Sequence, residues 1–260
     1  MVRLLVGLKA RLTWNGFRSD LQRRIGLPVA IALLTWAGIW LARSHYETAT
    51  FLLDTNPEAL ASYLAWSALF LFLVWVTLPV IIFPLDENLD PQQLATLPIT
   101  PNRMVVGLAA ASLVAPSTVV PLLLVSSNTI GMDGGWWMAL PAAFVFIGLL
   151  AIGGQLFSAT ISGILRTRRG RDIATFLVLG LAAGSFFVYR SVSRSIAETG
   201  IADVVLSHPI IDWWPLIPPV AAQKAMISAA AGEVVLAVLA LAVAVFGLLV
   251  LAWLWRRLLG

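Results

Sequence analysis

The chain has 260 residues, of which 60% are hydrophobic and only 12% charged, with a net charge of +4 and a mean hydropathy of +0.91. A soluble domain carries about 25% charged residues, so this composition points to lipid as the solvent and excludes an ordinary water-soluble fold. Cysteine is absent, which rules out disulfides and thiolate ligation.

Residues 1–26 carry two apolar faces. Met1, Leu4, Leu5, Leu8 and Leu12 share one, and Trp14, Phe17, Leu21 and Ile25 share another. Asn15-Gly16 sits at the change of phase and favours a turn. The pattern predicts amphipathic helices lying on the inner leaflet, their basic residues toward headgroups or a partner. Membrane anchoring alone is the plainer reading of the same stretch.

A helical span needs about 20 mostly apolar residues. Six segments of residues 27–260 meet this requirement, over about 27–43, 60–84, 104–126, 137–165, 173–190 and 233–255. The expected fold is therefore all-α and polytopic. The first segment lacks a clear small-residue cleavage site and is followed by five more, so it reads as retained. Trp136, Trp137, Trp253 and Trp255 fall near segment ends, as interfacial aromatics do. Pro116 and Pro121 predict a kink in the third segment.

Six spans put both ends of the chain on one side. Of the 17 Lys and Arg, that side receives Arg3, Lys9, Arg11, Arg18, Arg23, Arg24, Arg103, Arg166, Arg168, Arg169, Arg171, Arg256 and Arg257. The opposite side receives Arg43, Arg190, Arg194 and Lys224. The excess of basic residues predicts cytoplasmic termini in a multi-pass protein of the plasma (inner) membrane. "RTRRGRD" then reads as an inner-face anchor through Arg166, Arg168, Arg169 and Arg171, with direct docking to a partner as the alternative.

The fourth segment contains "IGGQLFSATISG", in which Gly153, Gly154, Ser158, Ser162 and Gly163 permit close helix contact. Gln155 is its one strongly polar side chain. Gln155, Ser158 and Ser162 are candidates for lining a pathway, and interhelical hydrogen bonding is the simpler role. Residues 191–232 are too broken to span. Pro218-Pro219 suits the first turn of a helix, which "VAAQKAMISAA" continues to Gly232. Flanked by Trp213-Trp214, such elements are expected to dip into the outer leaflet or cap the bundle, or else to form an exposed loop.

The inner connection after the second segment is "FPLDENLDPQQLATLPITPNRMVVG", residues 83–107. Asp90 is placed as a helix cap with Pro91 at the first helical position, and Pro98 ends the turn. The result would be a short acidic helix displaying Leu94 and Leu97, suited to docking on another protein, or simply a tight turn. No HExxH or paired-glutamate helix appears, and no GxxxxGK[ST] phosphate loop. Carboxylates are almost absent from the spans, where an ion-coupled carrier needs one. The sequence thus offers neither a catalyst nor an ion relay, and no cofactor or metal is expected on this chain. His45 and His208 lie far apart without a ligand-like neighbourhood.

"LDENLDPQQLATLPITPNRMVVG" resembles the loop after the second span in type-2 ATP-binding-cassette exporter permeases, especially actinobacterial ones. "ILRTRRGRDIATFLV" resembles their second inner loop, and "IPPVAAQKAMISAAAGE" their proline-led segment before the sixth span. The three stretches fall in the expected order along the chain. Val220 departs from the pattern where glycine is frequent, and many relatives continue into a second six-span half beyond the position of Gly260. The resemblance implies a transport permease, not an enzyme. A separate cytosolic ATPase subunit would hold ATP and Mg and dock on the first inner loop, at Asp86, Glu87, Asp90, Leu94, Leu97 and Arg103. It also implies a second permease half or a homodimer mate, and export of a substrate for which a hydrophobic or amphipathic character is the mild expectation. A membrane scaffold that docks a cytosolic partner without transport is the competing reading. Nothing points to nucleic acid.

Overall fold

A computed structural model describes residues 21–55, 57–82, 101–113, 118–130, 136–165 and 216–259, together with helical positions 3, 6–8 and 11. The described residues are helical apart from short turns. Seven helices follow in order: α1 (Leu21–Thr55), α2 (Pro57–Ile82), α3 (Pro101–Ser112), α4 (Val119–Ile130), α5 (Trp136–Leu165), α6 (Pro218–Ala230) and α7 (Val234–Leu259).

Three of them contain stretches long and apolar enough to cross a membrane: Ala59–Thr77 in α2, Trp137–Thr160 in α5 and Val234–Leu258 in α7. These stretches match the second, fourth and sixth expected spans. Their neighbours fix their direction. A Cβ placed on Gly148 of α5 would lie 3.3 Å from Leu248 of α7, while Ile152 and Leu156 pack with Ala252 and Trp255. Ala65 and Leu69 of α2 cluster with Ile217 and Val220 at the start of α6, and Pro218 of α6 touches α7 at Gly247. Further along α2, Phe72 and Val76 meet Gly153. Advancing along α2, α5 or α7 therefore means advancing along the other two, so the three helices run parallel. Between α2 and α5 the described residues include α3 and α4, and between α5 and α7 they include α6.

The expected third segment, 104–126 with a kink at Pro116 and Pro121, is divided between two helices, α3 and α4. The α3 helix ends at Ser112, whose carbonyl accepts a hydrogen bond from Thr118 Oγ1 at 3.2 Å, and α4 starts at Val119. Pro116, one of the two positions expected to kink this segment, lies outside the described residues. Pro121 falls in the first turn of α4, where no intrahelical donor is lost. Pro28 and Pro141 lie within α1 and α5, which continue past them.

The expected first span lies inside α1, a helix of 35 residues. At 1.5 Å per residue this is about 52 Å, well beyond the roughly 30 Å hydrocarbon thickness. Residues 21–26, read as part of a separate surface helix, are its first turns. The connection from α1 to α2 is short, and the two pack as an antiparallel pair. Toward α4 the approach is closer: a Cβ on Gly38 would come within 2.9 Å of Leu123 Cδ1.

The core lies where α5 meets α2, α6 and α7. Met138, Ala142, Phe146 and Leu150 of α5 pack with Ala68 of α2, with Ala221, Ala225 and Met226 of α6, and with Ala237, Ala240 and Ala244 of α7. Alanine on the α6 and α7 faces lets these helices approach closely, as small residues do where lipid supplies no hydrophobic drive between helices. The expected fifth span, 173–190, lies outside the described residues.

Candidate functional site

The segment built most specifically for the interior is α6. It starts with prolines in its first turn, as the sequence predicts, and runs to Ala230. It then ends in a tight reversal. Gly232 adopts φ +78°, a conformation that favours glycine. Its N–H donates to the Ala229 carbonyl at 3.1 Å, and Glu233 N–H reaches back to the Ser228 carbonyl at 2.8 Å. This pair of bonds is a Schellman ending. The Glu233 carbonyl accepts from Ala237 N–H at 3.0 Å, so α7 begins at once. A carboxylate there is favourably placed against the positive end of the α7 dipole.

The α6 helix therefore lies antiparallel along the first half of α7, with Pro218 at the level of Gly247. Its helix is covered on nearly every side, and the cover includes polar groups. Gln223 is 1% exposed and Ser228 0%. Gln223 Oε1 and Ser228 Oγ have no hydrogen-bond partner among the described residues. Burying a polar group without a partner costs about 1–3 kcal/mol, which makes these two atoms the positions on α6 to test by substitution. The sequence reading missed both. The signal was available in "AAQKAMISAA": alanines around the whole helix circumference mean that every face is packed, polar positions included.

A second polar pair bridges α1 and α2. His45 Nδ1 lies 2.6 Å from Tyr63 Oη, and the rings stand 5.1 Å apart at 35°. His45 is buried. The two residues are not equidistant from the turn between Thr55 and Pro57, so counting along the sequence does not pair them.

The expected sites divide as follows. Gly153 does allow close contact, since a Cβ there would sit 3.1 Å from the Phe72 ring, whereas one on Gly154 would sit 3.7 Å from Trp75, an ordinary van der Waals distance. Gln155 and Ser158 are half-buried on α5, and Ser162 lies in its last turns. Arg103 is exposed in the first turn of α3. Asp86, Glu87, Asp90, Leu94 and Leu97 lie outside the described residues, as do Arg166, Arg168, Arg169 and Arg171.

The fold brings basic residues together at one end. Trp255 packs with Met104, Val105 and Leu108, which joins the last turns of α7 to the start of α3. Arg256 and Arg257 occupy the last turn of α7, and Arg103 stands at the adjoining start of α3. The opposite end of the bundle carries Asp54 and Glu233 at helix boundaries. Among the described residues no group of three His, Cys, Asp or Glu is placed to hold a metal.

No protein-family model matches the chain, and no curated protein and no solved structure matches it.

Proposed function

We propose that this chain is the permease subunit of an ATP-driven exporter, with hydrolysis carried out by a separate cytosolic subunit that holds ATP and Mg. The observation that carries this reading is the α6–α7 hairpin. The stretch "IPPVAAQKAMISAAAGE", one of three that resemble type-2 exporter permeases, forms a buried helix reaching the mid-length of α7 and leaving by the end that carries Glu233. In a bilayer this is a re-entrant element: non-spanning backbone at depth is tolerated only where protein or a cavity surrounds it, and α2, α5 and α7 surround α6.

The parallel run of α2, α5 and α7 supports the six-span arrangement. Each parallel pair requires a return crossing. The first contains α3 and α4, and residues 173–190 supply the second. With the first span inside α1, both termini are cytoplasmic in the plasma membrane, and residues 1–20 lie at the inner surface. Residues 86–98 then project from the cytoplasmic end as the coupling helix. The hydrophobic walls favour an apolar or amphipathic cargo, with a second copy or a second permease half completing the pathway.

The test is purification of the tagged chain from its own membranes in mild detergent, followed by assay of ATP hydrolysis in the eluate. Co-eluting hydrolysis that falls with Leu94→Ala plus Leu97→Ala is expected. Truncating a central apolar anchor costs about 2 kcal/mol, which is roughly thirtyfold in assembly. Asp86→Asn should cost less, and its effect should be larger at low salt. A double variant that inserts correctly and keeps full hydrolysis would remove this loop from coupling and leave the scaffold reading.

A further inference from the structure

Three arginines from two distant parts of the sequence flank the junction of the start of α3 with the end of α7. Trp255 is fully buried against Met104, Val105 and Leu108 and holds the two helices together there. Arg103, Arg256 and Arg257 are all exposed around this junction. Among the described residues none of them has a carboxylate partner, and the ion pair found, Arg43–Glu47, lies on α1. Arg257 stacks on Trp253 with its guanidinium 4.5 Å from the ring centroid, so its charge is held beside an interfacial aromatic.

Two further features favour an anion. The α3 helix starts here with Pro101, and the first-turn N–H groups of a helix, with the positive end of its dipole, attract negative charge. At the same junction Trp255 Nε1 is a buried donor with no acceptor among the described residues. It is a donor only, so the group it lacks is an acceptor. Depth selects the source of the anion. The apolar stretch of α7 runs to Leu258, so Arg256 and Arg257 stand where a span leaves the hydrocarbon and meets phosphodiesters, and Trp253 is an aromatic suited to that layer.

We propose that the α3–α7 junction, through Arg103, Arg256 and Arg257, is a binding site for the phosphate of an anionic phospholipid headgroup. The site depends on α7 lying in a membrane and not on export, so it stands or falls separately from ATP hydrolysis. It also gives Arg103 a role in the bilayer in place of contact with a cytosolic partner.

The experiment uses the delipidated full chain in neutral detergent, titrated with phosphatidylglycerol, phosphatidylcholine or inorganic phosphate, with bound lipid counted by native mass spectrometry. Phosphatidylglycerol should be retained in preference to phosphatidylcholine, and inorganic phosphate at equal concentration should not displace it. At roughly fivefold for each basic residue near an anionic surface, Arg103→Gln with Arg256→Gln should weaken retention about thirtyfold. Arg103→Lys with Arg256→Lys should keep most of it. Arg43→Gln, which removes one positive charge on α1 as Arg103→Gln alone does on α3, should leave it unchanged. Equal losses from Arg43→Gln and Arg103→Gln would reduce the effect to net charge and overturn the site. Absence of headgroup preference would overturn it too, and displacement by inorganic phosphate would overturn the lipid assignment.

Discussion

Pro218 and Gly247 are in contact across the α6–α7 hairpin, so closely that a Cβ on Gly247 would overlap the Pro218 ring at its Cβ and Cγ. A proline ring cannot rotate away as a long side chain does. The contact fixes how deep α6 sits, because the other end of the hairpin is fixed by the turn at Gly232. Gly247→Ala should therefore displace the start of α6 and cost about 1–3 kcal/mol, the usual range for overpacking. Thermal unfolding in detergent measures it. Gly26→Ala serves as the control, since nothing lies within 4 Å of its added methyl, and alanine in a helix interior is favoured over glycine by about 1 kcal/mol. An unchanged midpoint for Gly247→Ala would mean that α6 is not held at this depth.

The His45–Tyr63 bond should be worth a measurable amount because both groups sit in the seam between α1 and α2. Tyr63→Phe removes the hydroxyl and keeps the ring, leaving His45 with a lost bond. A net cost of about 1 kcal/mol is expected. A double-mutant cycle with His45→Phe isolates the pair, and a coupling energy of about 0.5–1.5 kcal/mol is expected. A value near zero would show the contact to be incidental to the seam.

Hydropathy made α2, α5 and α7 legible, because a long apolar run in a helix is a signal that tertiary structure does not erase. It was weaker for the segment over 104–126. A window average spreads across Pro116, whereas the backbone stops at Ser112 and restarts at Val119. Proline-led initiation and the glycine stop of α6 were legible from local rules alone. The depth of α6 was not, since it depends on Gly247 meeting Pro218, two residues brought together only by the hairpin. Gln223 and Ser228 escaped for the same reason: burial of a polar side chain is decided by the neighbouring helices. The junction of Arg103 with Arg256 and Arg257 joins residues more than a hundred positions apart, and no spacing rule reaches that far.

Gln223 separates stability from function. With Oε1 buried and unpartnered, Gln223→Leu removes a buried acceptor that has no bond to lose. The change should be neutral or stabilising by about 1 kcal/mol, because both the desolvation cost and the amide disappear together. If the amide serves export, by meeting cargo or a second copy when the bundle rearranges, the same variant should lower transport-coupled ATP hydrolysis while raising the unfolding midpoint. A variant that loses stability would instead show that Gln223 already has a partner, and one that gains stability with full activity would make the amide dispensable.

The shared direction of α2, α5 and α7 yields the sharpest topological test. If all three cross the membrane, their starts lie on one side and their ends on the other. Asp54, just before α2, and Glu233, just before α7, must then face the same compartment, and Arg257 the opposite one. In the proposed topology the Arg257 side is cytoplasmic, and Glu233 and Arg257 each suit the dipole end of α7 at which they stand. The chain has no cysteine, so single cysteines can be read without background. Asp54→Cys and Glu233→Cys should react with a membrane-impermeant maleimide added to intact cells, and Arg257→Cys should react only after permeabilisation. Asp54 and Glu233 are exposed and lie at helix boundaries, where substitution disturbs little packing. Reversal of all three would invert the orientation but keep the parallel arrangement. Labelling of Asp54→Cys and Glu233→Cys from opposite sides would break that arrangement, and with it the return crossings on which the six-span permease depends.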